Sequence, residues 1–185
     1  MRISNGDKEV IAVALLDVGA QSSLGTEDLF KKLGINERPS NLKLTTVTGE
    51  TTEYKSMTAN IIVKPLDCSH TVSMDHVRSI PNLPIAKSCS ANKEDIKNVE
   101  HLRDIPIATM DQPVSLLIGA DTPEAFFTLD EKRGKRDQPI AIKTPLGWTV
   151  QGPCGKRKNN QPVSINHVSN VDLDNKLNAM WKQDF

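Results

Sequence analysis

Asp17 is the residue of this chain best placed to do chemistry. It closes the apolar part of residues 11–21, which read IAVALLDVGAQ, and it is followed at once by Val18, Gly19 and Ala20. A carboxylate at the mouth of a buried strand costs desolvation unless it is hydrogen-bonded or used, and Gly19 lets neighbouring backbone approach it closely. Two carboxylates that share one proton can hydrolyse a peptide bond without a metal or a Ser or Cys nucleophile. One takes a proton from water while the other protonates the carbonyl oxygen. Such a dyad needs two acids, and this turn offers one. Two copies of Asp17 across a twofold axis supply both, and they titrate as a coupled pair because like charges at contact distance push their pKa values apart. The pattern predicts a homodimer with its site at the interface.

Several elements must position that acid. Residues 9–16 are dense in Val, Ile, Ala and Leu with little alternation, which predicts a strand buried on both faces, preceded by a short strand at 2–4 and a turn at Asn5-Gly6-Asp7. After the acid, Thr26 can cap a short helix with Glu27 and Asp28 in its first turn, Lys31 and Lys32 in its last, and Gly34 as its stop; Leu29, Phe30 and Leu33 would be its buried face. Residues 42–63 alternate around Thr48-Gly49-Glu50, as expected of a long hairpin with an exposed, mobile glycine tip beside the acid, a lid in form. A strand at 71–80 and a helix at 93–103 follow. Val114 to Ile118 reads as a second buried strand, ending in Gly119-Ala120-Asp121, and Thr122, Pro123 and Glu124 open a short helix. A hairpin with a charged tip at 130–137 leads into a strand at 145–150.

The chain sorts into a domain over residues 1–152, a polar linker at 153–170 and a helical segment at 171–185, where Leu173, Leu177, Met180 and Trp181 keep helical spacing. At 185 residues and 37% hydrophobic composition the chain can bury a core, and 4% aromatic content makes that core mostly aliphatic. Basic and acidic residues number 23 each, and the basic runs at 132–136 and 156–158 carry no interleaved aromatics to stack on bases, so no direct nucleic-acid binding is expected. Three scattered cysteines, Cys68, Cys89 and Cys154, fit a reducing compartment better than a disulfide framework. Cys68, His70 and His76 lack a second Cys at finger spacing, so no metal and no cofactor is expected. No run of about 18 apolar residues occurs, which predicts no membrane span and a cytoplasmic protein.

Other polar residues read as structural. Asp121 follows Gly119 instead of preceding a glycine, and so reads as a helix-start residue. Ser22 and Ser23 are expected to hydrogen-bond locally, the histidines have no nucleophile partner, and Trp148 reads as core.

The stretch LLDVGAQSS, the glycine-tipped hairpin, the later LLIGAD and the motif TPLGWTVQGP together resemble the aspartic protease region of BEL/Pao-type LTR retrotransposon polyproteins, a branch of the retropepsin-like proteins. The resemblance spans about residues 11–152. It implies a mainly β, retropepsin-like closed barrel with one or two short helices, followed by the linker and a C-terminal helical tail leading towards a reverse transcriptase. It implies an endopeptidase that cleaves its own polyprotein as a homodimer, in the cytoplasm or in virus-like particles. Asp17 would be the catalytic residue, supported by Val18, Gly19 and Ala20. Leu117, Ile118 and Gly119 would lie behind the acid turn, and Val47, Thr48, Gly49 and Glu50 would form a flap over substrate. One departure stands out: the family's acid turn has Ser or Thr where this chain has Val18. The family's hydroxyl interlocks the two acid turns, so its loss is expected to weaken the dimer by about 0.5 to 1.5 kcal/mol and to impair turnover without removing a proton-transfer group. The competing expectation is a relic or a peptide-binding and dimerisation module that keeps the fold without turnover.

Overall fold

The computed structural model describes residues 1–36, 39–45, 49, 51–83, 85, 96, 99–106 and 112–153. Strands β1 (Arg2–Asn5) and β2 (Lys8–Ile11) pair antiparallel around a two-residue turn, where Gly6 takes the positive φ of +57° that such a turn asks of its first position. The chain then bends at buried Ala12 and continues as β3 (Val13–Leu16). The single strand expected over 9–16 is therefore two. The cause is visible in the bonding: the Ala12 amide donates to the Met1 carbonyl at 3.0 Å and its own carbonyl accepts from the Met1 ammonium at 3.0 Å, after which the chain leaves β1. The four residues of β3 are half-buried rather than enclosed on both faces, and among the described residues this strand lies at the edge of the sheet order.

The remaining elements are β4 (Leu24–Thr26), α1 (Glu27–Lys32), β5 (Pro39–Thr45), β6 (Thr51–Lys64), β7 (Val72–Ile80), β8 (Val114–Ile118), β9 (Asp130–Lys132), β10 (Ile140–Thr144) and β11 (Gly147–Gln151). One large sheet runs β2-β1-β6-β7-β4-β8-β3, with β5 also pairing with β6; β3 and β8 are parallel, as are β4 and β7. Its first and last strands, β2 and β3, are consecutive in the chain and joined at Ala12, so the sheet curls into a nearly closed barrel. The fold is mainly β, as expected. The interior is aliphatic: Ile3, Val63, Val72, Met74, Val77, Leu116 and Ile118 are fully buried, with Phe30 the one large aromatic among them.

Local signals place α1 where the sequence predicts it. Thr26 Oγ1 accepts from the Leu29 amide at 3.2 Å, Gly34 turns the chain out at φ +67°, and Leu29, Phe30 and Leu33 are buried against the barrel. Gly25 makes room for this helix, since a Cβ there would stand 2.7 Å from the Phe30 ring.

The segment after Phe127 differs from expectation. Asp130 to Lys132 is not part of a tip but a strand, β9, the exposed edge of a three-stranded antiparallel sheet ordered β11-β10-β9. Three successive charges are acceptable there because an edge strand's side chains reach water while its backbone pairs. The last strand starts at Gly147, with Pro145 and Leu146 in the turn before it. Trp148 packs with Val150 against Ile96, Leu102, Ile105 and Ala141. Of the helix expected at 93–103, a 3-10 turn at Glu100–Leu102 is seen, and most of residues 93–98 lie outside the described residues. The expected linker at 153–170, from residue 154 on, and the helical tail at 171–185 also lie outside them.

Candidate active site

Asp17 leaves the end of β3 half-buried, and its backbone amide donates to the Ile118 carbonyl at 2.9 Å, extending the parallel β3–β8 ladder by one rung. The acid turn closes on itself. Gly19 donates its amide to Asp17 Oδ1 at 2.9 Å, and Ala20 donates to the Asp17 carbonyl at 3.1 Å. A Cβ on Gly19 would sit 3.1 Å from Asp17 Oδ1, so glycine keeps that oxygen approachable. One carboxylate oxygen is thereby fixed by a backbone donor, which holds the group in place.

Leu117 and Ile118 pair with Leu15 and Leu16 of β3, and Gly119 follows beside the acid turn. Gly119 is in closest contact: a Cβ there would meet the Ala20 oxygen at 2.8 Å and the Ser22 carbonyl carbon and oxygen at 2.8 and 2.9 Å. The Ala120 amide donates to the Ala20 carbonyl at 2.8 Å. Two glycine-containing turns, from strands about a hundred residues apart, are thus pressed backbone to backbone.

Sequence reasoning missed the polar contact that joins them. Ser23, fully buried, donates its hydroxyl to Asp121 Oδ1 at 2.6 Å and its amide to Asp121 Oδ2 at 2.8 Å, while its Oγ accepts the Gly119 amide at 3.0 Å. The expectation of a local bond for Ser23 is corrected, because its partners are 96 and 98 residues away. Asp121 does not start the helix either. The residue at the cap of the 3-10 turn Pro123–Phe126 is Thr122, and the Asp121 carboxylate is engaged by Ser23 instead.

Val18, at the tip of the turn, is 72% exposed. Gly49 stands exposed at the end of the long hairpin with φ +80° and, among the described residues, nothing within 4 Å of where a Cβ would be. The hairpin is zipped up to the Thr45–Thr51 pair, whose hydroxyls lie 3.0 Å apart; Val47, Thr48 and Glu50 lie outside the described residues. Among the described residues no three His, Cys, Asp or Glu side chains gather as metal ligands, and Cys68 is a free, exposed thiol. No helix among them is long and apolar enough to cross a membrane.

Two clefts of about 290 and 350 Å³ open elsewhere, the first at Pro39, Ser40 and Lys55, the second at Glu100, His101 and Trp148. Neither is lined by Asp17; around this half-buried acid Val18, Gly19 and Gln21 are exposed, so in one copy the acid turn stands at the surface. No protein-family model, no curated protein and no solved structure matches the chain.

Proposed function

We propose that this chain is an aspartic endopeptidase that works as a homodimer, with Asp17 from each copy forming the dyad that activates water. The observation that carries the reading is the Asp17 carboxylate, delivered half-exposed at the end of a paired strand and held through Oδ1 by the Gly19 amide. A second copy of the same turn would bring the second acid and the enclosure that one copy lacks. In this reading the two carboxylates share one proton: one Asp17 takes a proton from water, the water oxygen attacks the peptide carbonyl and the other Asp17 protonates the carbonyl oxygen. The diol then collapses, one hydroxyl returning its proton to the second Asp17 as the C–N bond breaks and the first Asp17 protonates the leaving nitrogen. The Gly49 hairpin closes over the extended substrate, which is the polyprotein of a BEL/Pao-type retrotransposon, and the protein acts in the cytoplasm or within virus-like particles.

A second reading rests on Val18. An apolar residue, 72% exposed where the resemblance implies a hydroxyl, favours a module that pairs or binds peptides without turnover. Cleavage of a peptide library by the chain and by Asp17→Asn, at acidic and neutral pH, separates the two. Activity in the native chain that disappears in the variant supports the protease; equal activity, or none in either, rejects it.

A further inference from the structure

We infer that Ser23 and Asp121 together are positioning residues for Asp17, a clasp that sets where the acid turn sits on β8. This rests on the reading of Asp17 as catalytic, and its geometry stands independently of that reading. Asp17 has covalent neighbours on one side only that are strand; on the other, the chain runs through Val18 to Ser22 as a turn whose residues are half-buried or exposed. Something must fix the far end of that turn, and the first fully buried residue after it is Ser23.

The Ser23 amide and hydroxyl are both spent on the second turn, while its carbonyl accepts the Arg78 amide at 3.2 Å. Its amide and its hydroxyl hydrogen go to the two oxygens of one carboxylate, at 2.8 and 2.6 Å, a forked arrangement that fixes both distance and angle. Its Oγ lone pair takes the Gly119 amide at 3.0 Å. Gly119 in turn lies too close to the Ala20 and Ser22 backbone to hold a side chain, and Ile118, one residue earlier, accepts the Asp17 amide. The clasp therefore closes a ring of short contacts through Asp17, Ala20, Ser23, Asp121, Gly119 and Ile118. An ionised carboxylate suits the role because it is acceptor-only and offers both oxygens to Ser23. An amide at position 121 keeps one acceptor and turns a donor on the other, leaving the Ser23 hydroxyl hydrogen without its partner.

The chain with Ser23→Ala, Asp121→Ala, Asp121→Asn and the Ser23→Ala/Asp121→Ala pair tests the inference by two readouts, at a temperature where circular dichroism shows each variant folded. The first is independent of cleavage. In the native chain the Gly19 amide proton, bonded to Asp17 Oδ1, should follow the Asp17 titration by NMR; the single variants should weaken or abolish that dependence, with Asp121→Asn intermediate. The second is kinetic: kcat should fall by about 10- to 100-fold from misplacement of the acid, with KM changed by less than about twofold, and the double variant should lose no more than the worse single one. Asp121→Asn, the mildest change, keeps the test open if the alanine variants do not fold. Unchanged Gly19 titration in the folded variants overturns the clasp, as does a loss of activity that appears in KM alone. A native chain that cleaves nothing overturns the protease reading but leaves the NMR readout to decide the clasp.

Discussion

The amide of Asp17 donates to the carbonyl of Ile118 at 2.9 Å, so the candidate acid is hung on the last rung of a parallel ladder. Its position is therefore set as much by β8 as by its own strand. Gly119, the next residue, is the sensitive point. Gly119→Ala puts a Cβ within 2.8 to 2.9 Å of three backbone atoms of the turn, and backbone cannot rotate away as a side-chain tip can. The expected cost is about 1 to 3 kcal/mol in urea unfolding, accompanied by loss of any Asp17-dependent cleavage. A variant that keeps native stability would show that the two turns part more readily than their contacts imply.

Val18→Thr tests the proposed homodimer. At 72% exposure this substitution should leave the stability of a single copy within about 0.5 kcal/mol. Sedimentation should nevertheless show tighter dimers, by about 0.5 to 1.5 kcal/mol, if the restored hydroxyl finds a partner across the twofold axis. An unchanged association constant would remove Val18 as the explanation for a weak dimer.

Strain in β7 has a separate test. His76 adopts φ +58° where the register between β6 and β7 shifts, and its amide donates to Asn60 Oδ1 at 3.1 Å. The strand carries an extra residue there, in the backbone region that glycine occupies at lowest cost. His76→Gly is expected to be neutral or to stabilise by up to about 1 kcal/mol, while Asn60→Ala should cost about 0.5 to 1.5 kcal/mol by removing the acceptor. Thermal or urea melts of both variants check the opposite signs.

In the turn between β6 and β7, the Ser69 amide donates to Asp67 Oδ1 at 3.0 Å, and this bond, with a further one from Ser69, holds the Asp67 carboxyl below its ordinary value. A pKa lower in the folded chain than in the unfolded one stabilises above the unfolded value of about 3.9, and the gain is lost as pH falls through the folded value. Asp67→Asn should therefore flatten the fall in urea midpoint on acidification, without altering its shape at neutral pH. An identical acid limb in both chains would contradict the assignment.

How much of this was legible in the sequence depended on how local the signal was. Helix α1 was readable to its caps, since Thr26, the charge order and Gly34 all lie within nine residues. The long hairpin was readable because alternation and a glycine tip fix both arms. The bend at Ala12 was not, because a small apolar residue inside an apolar run carries no mark of where hydrogen-bond partners change. The charges of β9 concealed a strand, since composition reports solvent exposure while pairing is done by backbone. The Ser23–Asp121 contact left no trace at all: two common polar residues 98 positions apart have no periodicity to betray them. The position of Asp17 at the end of a strand was legible because a lone carboxylate that closes an apolar run just ahead of a glycine turn is locally anomalous.

The join at Ala12 has a consequence for the order of events in the cell. Because β3 pairs, among the described residues, with β8 about a hundred residues downstream, the acid turn emerges from the ribosome long before that strand exists. The β1–β2 hairpin can form early, but the seam carrying Asp17 must wait for residue 118, which makes the barrel a fold of high contact order and slow closure. A chain that ends before Ile118 carries Asp17 without the strand that holds its amide.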